Sequence, residues 1–102
     1  MTFGIIIDVP APIEFYDAVH AEVGSRMSGP VEGLLCHVGR PTPAGFQVIE
    51  IWETREQYER YDAEIVAPTL AELAGDRPPP DPPSAEEFEP RGLVVPSADV
   101  FA

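Results

Sequence analysis

Two side chains in this sequence are suited to moving a proton. His37 lies in the run Gly33-Leu-Leu-Cys-His-Val-Gly39. Histidine is the residue whose ordinary pKa falls in the physiological range, so it can take a proton from a phenolic or enolic substrate. Glu50 lies in Phe46-Gln-Val-Ile-Glu-Ile-Trp-Glu53. Strand alternation sets Phe46, Val48, Glu50 and Trp52 on one face, with Gln47, Ile49, Ile51 and Glu53 on the other. Apolar surroundings are how proteins make carboxyl groups that act as acids or bases near neutrality. The competing readings are that Glu50 pairs with an arginine or caps a neighbour, and that His37 is a satisfied, partly buried or interfacial histidine. Whether the two share a face depends on hairpin register, which the loop from Arg40 to Ala44 does not fix.

Around them, Trp52, Tyr61, Tyr16, Tyr58 and Phe46 could line a flat apolar cavity and stack on an aromatic ligand. Aromatic residues at helical spacing equally make ordinary core, and that reading suits Tyr16, Tyr58 and Phe46 best. His20 reads as a helix-face residue, Asp8 as a strand-end residue, and Cys36, between Leu35 and His37 with no cation near in sequence, as an inert thiol.

Other chemistries are removed by composition. The six basic residues are all arginine, so no lysine can form a Schiff base or serve a phosphate loop. One cysteine and two histidines cannot build a Cys/His zinc cage, so no structural zinc site is expected. Eighteen acidic residues give a net charge of −12, which disfavours nucleic acid and anionic membrane surfaces as partners. No apolar run approaches the roughly 20 residues of a membrane span. The N-terminus lacks the basic region of a secretory signal, so the expected location is the cytoplasm.

The chain of 102 residues is expected to be one domain. Phe3 to Val9, β-branched and bounded by Pro10 and Pro12, predicts a strand. Ile13, Tyr16, Val19 and Val23 recur at helical spacing up to Gly24. Val31 to Arg40 and Phe46 to Glu53 predict a hairpin across a loop of about five residues, Pro41 to Gly45. Thr54 with Gln57 predicts a capping box opening a helix from Arg55 to about Leu73, its inner stripe Tyr58, Tyr61, Ile65, Leu70 and Leu73, with a kink or break at Pro68. Arg77 to Ser84, with five prolines in six positions, predicts an extended connector before a last strand within Phe88 to Val95 that Pro90 confines to an edge.

Strand, helix, strand, strand, helix, strand is the order of a ferredoxin-like βαββαβ sandwich, an α+β fold with a four-stranded antiparallel sheet and both helices on one face. The strands are apolar on both sides, since Ile5 and Ile7 alternate with Ile6, and Phe46 and Val48 with Ile49 and Ile51. The uncovered face predicts a homodimer with sheets packed face to face.

The hairpin and its continuation through Ile51-Trp-Glu-Thr54 into Arg55-Glu-Gln-Tyr-Glu-Arg-Tyr61 resemble the dimeric α+β barrel superfamily, in particular its antibiotic-biosynthesis-monooxygenase-like proteins, over about residues 3 to 73. The resemblance implies a ligand pocket between sheet and helices with Trp52 facing it. It implies a hydrophobic small-molecule ligand and a choice among cofactor-free monooxygenation, haem degradation, cyclisation and isomerisation. The superfamily's haem degraders take an axial histidine from the second helix, and residues 54 to 75 contain none, which disfavours haem. The proline-rich insertion departs from the family pattern. The resulting expectation is a cofactor-independent enzyme, a monooxygenase of an aromatic or polyketide-like substrate working through a base-generated carbanion and O2. The alternatives are a polyketide cyclase or isomerase on the same fold, and a non-catalytic hydrophobic-metabolite binding or accessory protein.

Overall fold

A computed structural model describes residues 2–27, 29, 31–75, 83–95 and 100–101. Strand β1 (Phe3–Val9) leads through Pro10 to Pro12 into helix α1 (Ile13–Arg26), two residues longer than the glycine at position 24 suggests. Strands β2 (Leu34–Thr42) and β3 (Gly45–Trp52) form the hairpin. Helix α2 (Arg55–Tyr61) passes through a π-helical turn (Asp62–Val66) into α3 (Ala67–Ala74), and β4 (Ser84–Phe88) completes the main sheet. Beyond it lies a small ribbon of β5 (Val94–Val95) and β6 (Val100–Phe101).

The sheet order is β2-β3-β1-β4, antiparallel throughout. This is the ferredoxin-like α+β architecture. Phe3, Ile5, Ile7, Leu34 and Trp52 pack with Tyr58 and Tyr61 on the inner face, beneath the helices. Ile6, Cys36, Val38, Ile49, Ile51 and Phe88 belong to the outer face by register. The Phe88 ring lies directly over Gly4, where a Cβ would overlap it.

Four local expectations need correction. The hairpin loop is a two-residue turn, Pro43 and Ala44, and Pro41 sits inside β2, opposite Phe46. Proline is tolerated there because β2 is an edge strand. Helix interruption begins before Pro68: the Ala67 N–H reaches back five residues to the Asp62 carbonyl, which accommodates a following residue that has no N–H to donate. The extra residue in that turn rotates the start of α3 by about 100°, so Thr69, fully buried, takes the inward place and Leu70 is 37% exposed. The last strand of the sheet is Ser84 to Phe88 and stops before Pro90, while Val94 and Val95 belong to the separate ribbon. The prolines of the connector before Pro83 lie outside the described residues.

Candidate functional site

Register decides the site. His37 pairs directly with Glu50 across the hairpin, so both point to the inner face. The two-residue turn at Pro43 and Ala44 sets this register, which runs unbroken from Thr42 opposite Gly45 to Cys36 opposite Ile51; a β-bulge between Leu34 and Cys36 then returns Leu34 to the inner face opposite Trp52.

Glu50, 7% exposed, spends both carboxylate oxygens on donors. The Trp52 Nε1–H donates to Oε1 at 3.1 Å, and His37 Nδ1 meets Oε2 at 2.7 Å. Because the carboxylate accepts, Nδ1 carries the imidazole hydrogen and Nε2 is left as the acceptor. At Nε2 stands the Tyr16 hydroxyl, 2.7 Å away and donating. The sequence Trp52, Glu50, His37, Tyr16 is thus one hydrogen-bonded chain spanning β3, β2 and α1. Its logic is that of a carboxylate fixing the tautomer of an imidazole so that the far nitrogen can act as a base.

Tyr16 reaches this place over Gly39. A Cβ at Gly39 would lie 2.5 Å from the tyrosine hydroxyl oxygen and 2.6 Å from Cε2, so only glycine lets the ring lie flat on β2. The rest of the wall is aromatic. Phe46 packs on Tyr16 at 5.5 Å between ring centroids, and Trp52 meets Tyr61 at 5.4 Å and Tyr58 at 5.9 Å. Thr54 caps α2, its Oγ1 accepting from the Gln57 N–H at 3.2 Å, which sets the helix that carries both tyrosines. The N-terminus of α2 is further held by Arg55, whose guanidinium lies 4.9 Å over the Phe3 ring and pairs with Glu87 of β4.

The Glu50 charge is felt throughout the site. Burial pushes the Tyr58 hydroxyl up to about 12, with Asp62, Glu50 and Glu59 adding to it. Burial and then Glu50 raise Tyr61 in the same direction, and burial, Glu50 and Asp17 raise Tyr16. Asp62, at the start of the π-helical turn, is raised by burial and by Glu50. These phenols therefore stay protonated at neutral pH, and the Tyr16 hydroxyl donates to His37 Nε2. Among the described residues no buried side-chain nitrogen or oxygen lacks a partner.

All seven residues singled out from the sequence, His37, Glu50, Trp52, Tyr61, Tyr16, Tyr58 and Phe46, fall on this one inner region. Tyr16, which reads as core in the sequence, instead bonds the histidine. His20, read as a surface residue, stacks on Tyr16 at 5.5 Å and on His37 at 5.8 Å. The signal for it was available: Tyr16 and His20 are four apart and share a helix face. Asp62 likewise lies four residues after Tyr58 at the end of α2, its N–H bonding back to the Tyr58 and Glu59 carbonyls. Asp8 accepts from Gln47 at 3.0 Å on the outer face, away from the site.

The solved structures similar to this one agree on the architecture. A proposed antibiotic biosynthesis monooxygenase from Chloroflexus aurantiacus J-10-fl superposes with a TM-score of 0.65 at 20% identity, covering 93% of this chain and 98% of the other. The chain has the antibiotic-biosynthesis-monooxygenase-like fold. SnoaB, a cofactor-independent oxygenase from Streptomyces nogalater, superposes with a TM-score of 0.57 at 17% identity over 93% of this chain and 95% of its own. MhuD, a haem degrader from Mycobacterium tuberculosis with two haems in its active site, gives 0.52 at 23% identity over 91% and 98%. No protein-family model matches the chain, and no curated protein sequence matches it significantly.

The helical run from Arg55 to Ala74 carries no histidine, and both ring nitrogens of His37 are already bonded. Among the described residues there is no group of three or more His, Cys, Asp or Glu able to hold a metal ion.

Proposed function

We propose that this chain is a cofactor-independent enzyme of a hydrophobic small molecule, a monooxygenase of an aromatic, polyketide-like substrate. The observation that supports it is the Glu50–His37–Tyr16 chain, with bonds of 2.7 Å on either side of the imidazole. A substrate phenol or enol brought to Nε2 takes the place of the Tyr16 hydroxyl and gives up its proton there. The imidazolium that forms faces the Glu50 carboxylate, so the new charge pair is stabilised as it develops. The substrate carbanion, held against Trp52 and Tyr61, then reacts with O2. One oxygen atom replaces two hydrogens as a carbonyl and the other leaves as water, so that AH2 + O2 gives A=O + H2O.

The outer sheet face supports a homodimer. Val38 is 45% exposed there, beside the half-buried Ile6 and Ile49, an apolar surface that a second copy of the same sheet would cover. The protein would work in the cytoplasm.

Trp52 is the chain's single tryptophan, so its fluorescence reports on the site. With anthrone, a tricyclic ketone bearing an acidic methylene, the expected results are fluorescence quenching and oxygen uptake. His37→Asn should lower uptake by about 10²- to 10⁴-fold while quenching persists. Product formation without oxygen uptake would instead indicate cyclisation or isomerisation by the same base. Quenching without turnover in the unsubstituted protein would mark a binding protein.

A further inference from the structure

The Tyr16 hydroxyl stands 2.7 Å from His37 Nε2, the imidazole nitrogen that Glu50 leaves without a hydrogen. Its own hydrogen therefore points at the place where a substrate oxygen must come. The ring is held there from three sides: it lies flat over Gly39, packs on Phe46 at 5.5 Å and stacks on the His20 ring at 5.5 Å. The hydroxyl keeps its proton, because burial and then the charges of Glu50 and Asp17 disfavour the phenolate. Of the chain's three tyrosines only Tyr16 bonds the imidazole, while Tyr58 and Tyr61 pack on Trp52. Helix α1, which carries Tyr16, contains no fully buried residue, so the ring can draw back without opening the core.

We propose that Tyr16 is a catalytic residue, the donor that holds the substrate's enolate oxygen once His37 has taken its proton. The inference rests on the function proposed above and deepens it. An enol oxygen entering between the two groups accepts from the Tyr16 hydroxyl and donates to Nε2. The hydroxyl need retreat only about 2 Å for an oxygen to fit there at hydrogen-bond distance from both. The enol O–H bond then breaks, its proton goes to Nε2 and its electron pair stays on the oxygen. That oxygen now accepts from two donors, the Nε2–H of His37 and the O–H of Tyr16. Both bonds are stronger to the anion than to the neutral enol, and interactions that strengthen as charge develops are the ones that speed a reaction.

Tyr16→Phe keeps the ring and removes only the donor. 4-Nitro-1-naphthol is a flat phenol whose absorbance separates phenol from phenolate, and bound under anaerobic conditions it reports without turnover how well the site holds an oxyanion. Tyr16→Phe is expected to lower its bound phenolate-to-phenol ratio at least tenfold while leaving the affinity for its methyl ether, read by Trp52 quenching, within threefold. The kcat for anthrone oxidation should fall by about 10²- to 10³-fold with KM within threefold. Gly39→Ala, which displaces the whole ring, should lose the bound phenolate likewise. A ratio and a kcat both within threefold of the unsubstituted protein in Tyr16→Phe would overturn the role and leave the proposed function standing. Equal losses of affinity for the naphthol and its ether would make Tyr16 a packing residue and also overturn it. No anthrone turnover by the unsubstituted protein would overturn the function, and the role of Tyr16 with it.

Discussion

Replacing Glu50 by glutamine changes almost no volume and rewires the site. The carboxylate accepts from two N–H donors, Trp52 at 3.1 Å and His37 at 2.7 Å, whereas an amide offers one acceptor oxygen and one NH2. If the amide oxygen turns to His37, its NH2 faces the Trp52 N–H in a fully buried place. Stranding that donor costs about 1–3 kcal/mol. If the oxygen turns to Trp52, the NH2 faces Nδ1, and the imidazole can adapt by moving its hydrogen to Nε2. Nδ1 then accepts from the amide, and Nε2–H donates to the Tyr16 oxygen. Every group keeps a partner, so the second arrangement should predominate by a factor of roughly 5 to 150, the same penalty read as a population ratio. Lost charge assistance is offset by removing a buried carboxylate, so stability should change by less than about 2 kcal/mol. The base, however, is gone, since Nε2 carries a hydrogen. A wrong tautomer in an otherwise intact catalytic dyad can lower turnover by about 10⁴, and a fall of at least 10² is expected in Glu50→Gln. Nitrogen NMR of labelled histidine assigns the tautomer, denaturant melts followed by Trp52 fluorescence give the stability, and oxygen uptake gives the rate. Hydrogen still on Nδ1, or turnover within threefold of the unsubstituted protein, would refute the reasoning.

Gly39→Ala should expel Tyr16 from His37. The lost hydrogen bond, about 1 kcal/mol, is largely offset by the stiffer unfolded chain at about 0.4–1 kcal/mol, so the fold survives while the His37 Nε2 signal shifts in the NMR spectrum. All three tyrosines of the chain have raised pKa values, chiefly from burial, with Tyr58 up to about 12. Above pH 10 the folded protein therefore holds more phenol protons than the unfolded one, and the contribution of the three phenols to stability should be flat below pH 10 and fall from there toward pH 12. Phenolate absorbance of the folded protein should accordingly rise later than that of the denatured chain; coincident titrations would contradict the burial of these rings. Val38→Glu places a charge in the outer face and should turn a dimer into a monomer by sedimentation velocity without altering the far-UV spectrum. An unsubstituted protein that already sediments as a monomer would dispose of the face-to-face arrangement.

The strand and helix order was legible because its signals are local: the β-branched run from Phe3 to Val9 bounded by Pro10, the Thr54 cap, and the apolar spacing from Ile13 to Val23. That Glu50 and Trp52 share a face followed from alternation along a single strand. Anything requiring two elements at once could not be read. The union of His37 with Glu50 depends on the tight turn at Pro43 and Ala44, where the sequence reads as a loop of about five residues. The outward turn of Leu70 depends on one additional residue in the π-helical turn, which a fixed 3.6-residue spacing cannot anticipate. Tyr16 had the spacing of core, and its role comes from Gly39 on a neighbouring strand, a residue whose missing side chain makes room for it. His20 reads as a helix-face residue, and the structure leaves it exposed while its ring stacks on Tyr16 and His37, a contact that needs β2 beside α1.

The central claim is that His37 Nε2 is the base, presented by Glu50 and occupied by Tyr16 until a substrate arrives. A crystal structure of the protein soaked with anthrone under anaerobic conditions tests it most directly. The account predicts ligand density between sheet and helices beside Trp52, with the ligand oxygen within about 3.2 Å of Nε2 and the Tyr16 hydroxyl displaced from it. A cavity closed by its own side chains, or a ligand bound with the His37–Tyr16 bond intact and its oxygen out of reach, would contradict it.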